Sequence, residues 1–189
     1  RQNMAIEELL DNMEESMMNA EDAMKTDIAA IRTGKASTAL VEGLMVEYYG
    51  TNTRLRDIAG LSTPDARTVA IQPWDQSAVQ AIEKAIINSN IGISPVSDGK
   101  IVRLPIPPLS EDRRAALAKQ VKARSEEARV AVRNARRDAN EAAKKAQKAS
   151  EITEDELKNL LEKIQKMTDS YIANIDKLAE EKEKELMKV

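Results

Sequence analysis
Three stretches of the chain repeat apolar residues every three or four positions, and a stretch of different character separates the first two. Ile6, Leu10, Met13, Met17, Ala20, Met24, Ile28 and Ile31 fall within one narrow stripe at about 100° per residue, which predicts a first long helix. Gly34 is its expected stop. A second helix is predicted from Ser110 as N-cap, with Glu111 and Asp112 at its positive end. Neither Gly nor Pro interrupts residues 111–149, so this helix should be roughly 55–60 Å long. Its apolar stripe is Leu117, Val121, Ala128, Val132, Ala135, Ala139, Ala142 and Ala146, small enough to let neighbouring helices approach closely. "SEITEDE" ends it, Thr153 with Glu156 reads as a capping box, and a third helix follows. That last helix carries Leu157, Leu161, Ile164, Tyr171, Ile175, Leu178 and Leu186 on one side.

Between the first two helices the period changes. "LMVEYYG" alternates and ends in Gly50, "RTVAIQPW" is a second strand closed by Pro73, and "IGISPVSDGKIVRLPIP" reads as two strands about an Asp98-Gly99 turn. "SAVQAIEKAIINSN" returns to helical spacing, with Ser77 as the expected N-cap. Each long helix has one apolar stripe and cannot stand alone. The economical solution is an α+β chain: a three-helix bundle from residues 1–34 and 109–189, and a small β/α/β domain, residues 35–108, inserted between helices 1 and 2. The two crossings, near 33–35 and 105–109, make a natural hinge at Gly34, Pro105, Pro107 and Pro108.

Composition narrows the chemistry. Aromatics are 2% of the chain, with no Phe, so the helices must pack through Leu, Ile, Val, Met and Ala. The absence of Cys and His removes disulfides, thiolate chemistry, the commonest general base and the commonest metal ligand. No metal site, cofactor or catalytic residue is expected. "GKAST" lacks the spacing and the preceding strand of a phosphate loop. Carboxylate pairs lie on solvated helix faces, and Asp98-Gly99 has no spaced calcium ligands. Trp74 is expected to pack, with Tyr48 and Tyr49 as strand core and strand edge. No apolar run reaches the roughly 20 residues of a membrane helix, and no signal peptide is visible. Met4 is the first Met, so residues 1–3 read as a remnant or a processed end.

Charge changes the picture further. The chain is acidic overall, net −3, yet residues 1–31 carry −6, residues 111–148 carry +6 and residues 149–189 carry −4. The basic segment includes "ARVAVRNARRDAN", with Arg129, Arg133, Arg136 and Arg137. With Arg129 as zero, Arg133 lies at about +40°, Arg136 at about −20°, Lys122 at about +20°, Arg137 at about +80° and Arg114 at about −60°. The apolar stripe centres at about −100°, so the basic residues form their own line beside the packing face. A solvated helix face is the ordinary explanation for such a run. Against it, Glu126 can neutralise one or two of these residues at most, and the planar Arg fork suits phosphate. A polyanion surface follows. Without aromatics for stacking, shape-and-phosphate recognition of folded RNA fits better than reading of unstacked bases.

"IRTGKAS", "VEYYGT", "RLPIPPLSEDRR" and "ARVAVRNARRDAN" occur in order and together resemble the bacterial and organellar ribosome recycling factor family, over nearly the whole chain. The resemblance implies an L-shaped, two-domain structure of the same bundle-plus-insert architecture. It implies a monomeric, cytoplasmic, non-enzymatic translation factor that binds the A/P region of the large ribosomal subunit after termination. With elongation factor G, which hydrolyses the GTP, such a factor splits the ribosome. It implies rRNA contacts at Arg32, Arg114, Arg133 and Arg136, and also at Arg129 and Arg137. Lys35 stands where most members carry Arg, which keeps the charge but loses the bidentate fork. The family's moving part is the inserted domain. Two rival readings carry different expectations. A helical protein scaffold would show no salt-dependent ribosome binding, and a structured-RNA chaperone would bind many RNAs alike.

Overall fold
A computed structural model describes residues 3–188. The elements run α1 (Met4–Ala29), β1 (Met45–Tyr48), β2 (Thr51–Arg54), β3 (Ala59–Asp65), β4 (Thr68–Pro73), α2 (Val79–Ile87), β5 (Val96–Ser97), β6 (Val102–Pro105), α3 (Glu111–Lys148) and α4 (Glu154–Met187). The fold is α+β. The chain divides into two compact units, one of residues up to Ile28 with those from Ala115 onward, the other Ala29–Arg114.

The helical unit packs α1, α3 and α4. Its core takes Met13, Met17, Met24 and Ile28 from α1, Leu117, Val121, Ala128 and Val132 from α3, and Leu160, Ile164, Ile175 and Leu186 from α4. These positions repeat every eleven residues. Met13 and Met24, Met17 and Ile28, Leu117, Ala128 and Ala139, Val121, Val132 and Ala143, and Ile164, Ile175 and Leu186 are all buried. An eleven-residue period, about 3.67 residues per turn, goes with straight or gently right-handed packing rather than a left-handed coil. It also corrects the expected stripes. Ala142 is exposed and Ala143 is buried in its place, and Leu160, Thr168 and Ala179 hold the α4 centre that Leu157, Leu161, Tyr171 and Leu178 only flank. The two buried hydroxyls satisfy themselves on their own helices: Ser125 Oγ donates to the Lys122 carbonyl and Thr168 Oγ1 to that of Ile164, both at 2.8 Å. The ends are capped as the sequence implies. Arg113 N–H donates to Ser110 Oγ at 3.1 Å, and Thr153 and Glu156 form a reciprocal capping box. Helix α1 stops at Ala29, short of Gly34, which sits beyond it at φ +82°.

In the second unit, β1 and β2 form an antiparallel hairpin whose two-residue loop, Tyr49-Gly50, has positive φ at both positions. A separate antiparallel sheet has the order β3-β4-β6-β5. Val46, Leu55, Val69, Ile71, Ile82, Ile86, Val102 and Leu104 form one core. Two strands were not foreseen. β2 is polar and mostly exposed, and β3 contains Gly60 and Pro64, which read as turn residues; Pro64 is tolerated because β3 is an edge strand. Ser77 does not cap α2. Asp75 Oδ1 accepts from Ser77 N–H at 3.0 Å and caps a short 3₁₀ turn that leads into the helix. Asp75 Oδ2 also accepts from both Tyr48 and Tyr49 hydroxyls, at 3.0 and 2.9 Å. Hydrogen bonds from the Ser77 backbone and side chain, then from the tyrosines, lower the Asp75 pKa to about 2. Trp74 is exposed, contrary to its expected packing role, because it follows the last sheet residue; Tyr49, expected at a strand edge, is exposed one residue beyond β1 at the hairpin tip.

Candidate nucleic-acid interface
The arginine-rich stretch is the middle of α3, a helix of 38 residues, and its side chains divide by partner. Arg129 turns toward the bundle. Its Nε bonds Glu126 at 3.0 Å, its Nη1 bonds Asp176 of α4 at 2.7 Å, and its Nη2 donates to Ser125 Oγ at 3.2 Å. Burial works against its charge, but Glu126 and Asp176 outweigh that and leave the guanidinium harder to deprotonate than usual. Glu126 reaches Arg133 as well, at 3.4 Å, and the Arg129 hydrogen bond is the main reason its own pKa is lowered. Arg129 is therefore an α3–α4 tie. Arg129→Ala should lower bundle stability by about 1–3 kcal/mol, from lost charged hydrogen bonds, while shifting RNA affinity little. Urea unfolding beside a filter-binding titration tests this, and an affinity loss without a stability loss would return Arg129 to the interface.

Arg133, Arg136 and Arg137 remain together. With Asn134, Asn140 and Lys144 they line a shallow groove on α3, with Glu141 as its one acid. Arg136 and Arg137 form no ion pair among the described residues, and Arg133 has only the long contact to Glu126. Lys144 and Asn140 were missed, although at about +60° and +20° they continue the basic line. Lys122 is exposed on the same line toward the helix start. Arg124 is taken by Asp27 of α1 at 2.6 Å.

Arg32, Lys35 and Arg114 fall in the other compact unit. Lys35 is exposed. Arg32 Nε and Arg114 Nε are buried without a hydrogen-bond partner. An unsatisfied buried donor is costly, and one closed to solvent is not itself open to an external phosphate. Gly34 and Leu109 are neighbours: a Cβ on Gly34 would lie 3.5 Å from Leu109 N. Just inside them, Ala36 N–H donates to the Ala66 carbonyl at 2.8 Å and Ile106 N–H to that of Arg67 at 2.7 Å. Both chain crossings are thus pinned to one β3–β4 turn.

Among the described residues no group of three or more His, Cys, Asp or Glu could hold a metal ion, and no helix is long and apolar enough to cross a membrane. The arrangement presents a cluster of cationic side chains on one helix face.

The family model described as ribosome recycling factor matches residues 24–187. A ribosome-recycling factor of Geobacillus thermodenitrificans is 49% identical over 182 residues, covering 96% of this chain and 98% of that protein. One of Nitratidesulfovibrio vulgaris is 48% identical over 186 residues, covering 98% and 100%. A solution structure of a ribosome recycling factor aligns with a TM-score of 0.81 at 44% identity, covering 97% of this chain and 98% of that one. A second structure, 43% identical with a TM-score of 0.68 and covering 97% and 99%, describes the Thermus thermophilus factor and Escherichia coli elongation factor G bound to the E. coli post-termination complex.

Proposed function
This chain belongs to the ribosome recycling factor family, and from that premise we propose that it docks on the large ribosomal subunit in the A/P region after termination and, with elongation factor G, splits the ribosome. The observation that carries the docking step is the groove of Arg133, Arg136, Arg137 and Lys144: among the described residues Arg136 and Arg137 form no ion pair and Arg133 only its 3.4 Å contact to Glu126, so the groove can offer its cations to an RNA backbone. Lys122 continues the line on α3, and Arg32, Lys35 and Arg114 of the other unit are the further rRNA contacts that the family resemblance implies. The partner hydrolyses GTP, so this chain needs no nucleotide site or cofactor of its own; it acts as a non-enzymatic factor, and the resemblance adds a cytoplasmic monomer. It contributes shape, charge and stiffness. A helix of 38 residues transmits a push because bending it breaks backbone hydrogen bonds. The inserted unit turns at the paired crossings, where Gly34 holds a left-handed φ and Pro107 and Pro108 offer no N–H to a ladder; Pro105, expected in the hinge, instead ends strand β6 opposite Thr68.

Co-sedimentation tests the docking. The chain should pellet with large subunits and not with small ones, and the affinity should fall steeply between 50 and 200 mM salt. Equal binding to small subunits or to unrelated structured RNAs would favour a general RNA chaperone.

A further inference from the structure
The bundle has a second groove, and its chemistry is opposite to that of the arginine face. It lies between the first half of α1 and the last third of α3, with a volume of about 420 Å³. Leu9, Met13, Ala135, Ala139, Ala142 and Ala146 make its apolar floor, and Glu8, Asp138 and Glu151 stand at its rim. The sequence suggested that the α3 alanines would let helices close together. Instead Ala142 is exposed and Ala135 and Ala146 are only half covered, so the small side chains leave a trough.

We propose that this trough docks a basic amphipathic helix of a partner protein. The shape indicates a helix. The lining runs from residue 5 to 16 on α1 and from 135 to 146 on α3, about 16 Å along each axis, or three turns. That is the length of an apolar stripe read as i, i+3, i+4, i+7 anchors. The charge indicates a basic occupant. None of the three rim carboxylates is ion-paired among the described residues. Glu15 lies exposed on α1 in line with Glu8, while Glu7, Asp11 and Glu14 turn away from the trough. Phosphate would be repelled here, whereas Lys and Arg flanking an apolar stripe would be matched. On α3 the trough lies about 160° around from the Arg133–Lys144 line, so nucleic acid on one face leaves the other open. The docking site goes beyond the recycling proposal and does not rest on it.

Fluorescence anisotropy with the full chain tests it, the probe being a labelled amphipathic helix of roughly 15 Leu and Lys residues. Saturable binding is expected. Ala142→Trp, which fills the trough from an exposed position without changing charge, should weaken it about ten-fold or more, as should Glu8→Lys. Glu162→Lys makes the same charge change on α4 outside the trough and should shift affinity less than about two-fold. Helical CD verifies that each variant is folded. Absence of binding, wild-type affinity in Ala142→Trp, or an equal loss in Glu162→Lys would each overturn the proposal; the last would reduce it to general attraction by an acidic protein.

Discussion
Arg133→Ala combined with Arg136→Ala is expected to weaken binding to large subunits by about 1–3 kcal/mol per lost phosphate contact, with an unchanged melting temperature. The unequal environments of the two residues refine the expectation. Arg133 already holds a 3.4 Å contact to Glu126, which docking must disturb, whereas Arg136 has no ion pair among the described residues to give up. Arg136→Ala alone should therefore cost more than Arg133→Ala alone. Because the contacts are to backbone phosphates, the salt dependence of log affinity should flatten by roughly one for each contact removed. Equilibrium sedimentation across a salt series reads both quantities. A parallel loss of helical signal would make the arginines structural and leave the docking face elsewhere.

The second large effect is expected at Gly34. Its φ of +82° belongs to the left-handed region, and an added Cβ would meet Leu109 at an ordinary 3.5 Å, so the cost of Gly34→Ala is conformational rather than a clash. An L-residue held there costs about 1–2 kcal/mol. If subunit splitting passes through rotation at this crossing, that strain alters the rate by roughly ten-fold. Binding to the large subunit should fall less than the splitting rate, since the arginine groove lies in the other compact unit and only the flanking Arg32 and Lys35 contacts adjoin Gly34. Rapid-mixing light scattering separates binding from splitting. A splitting rate equal to wild type would remove Gly34 from the hinge.

Much of the fold was legible because the long helices combine period, capping and the absence of Gly and Pro over residues 111–149. The Thr153–Glu156 box and the Ser110 cap appear where short-range chemistry requires them. Which alanine faces inward was less legible. A tally of three- and four-residue steps cannot distinguish Ala142 from Ala143; the eleven-residue repeat through Val121, Val132 and Ala143 does. Strands β2 and β3 escaped because their stability comes from pairing, with exposed polar residues in one and Gly60 and Pro64 in the other. Of the basic site, the angular line was readable from the sequence. The commitment of Arg129 was not, because Asp176 lies 47 residues away on another helix. The unpartnered Nε groups of Arg32 and Arg114 belong to the same class, since burial is a tertiary property.

Light scattering of post-termination ribosomes reads out whether this chain separates ribosomal subunits. The predicted result is a fall in scattering to the level of separated subunits when the chain, elongation factor G and GTP are all present, with no fall when any one is omitted. Ribosomes that stay joined while the chain sediments with them, or that separate as readily without it, would contradict the account.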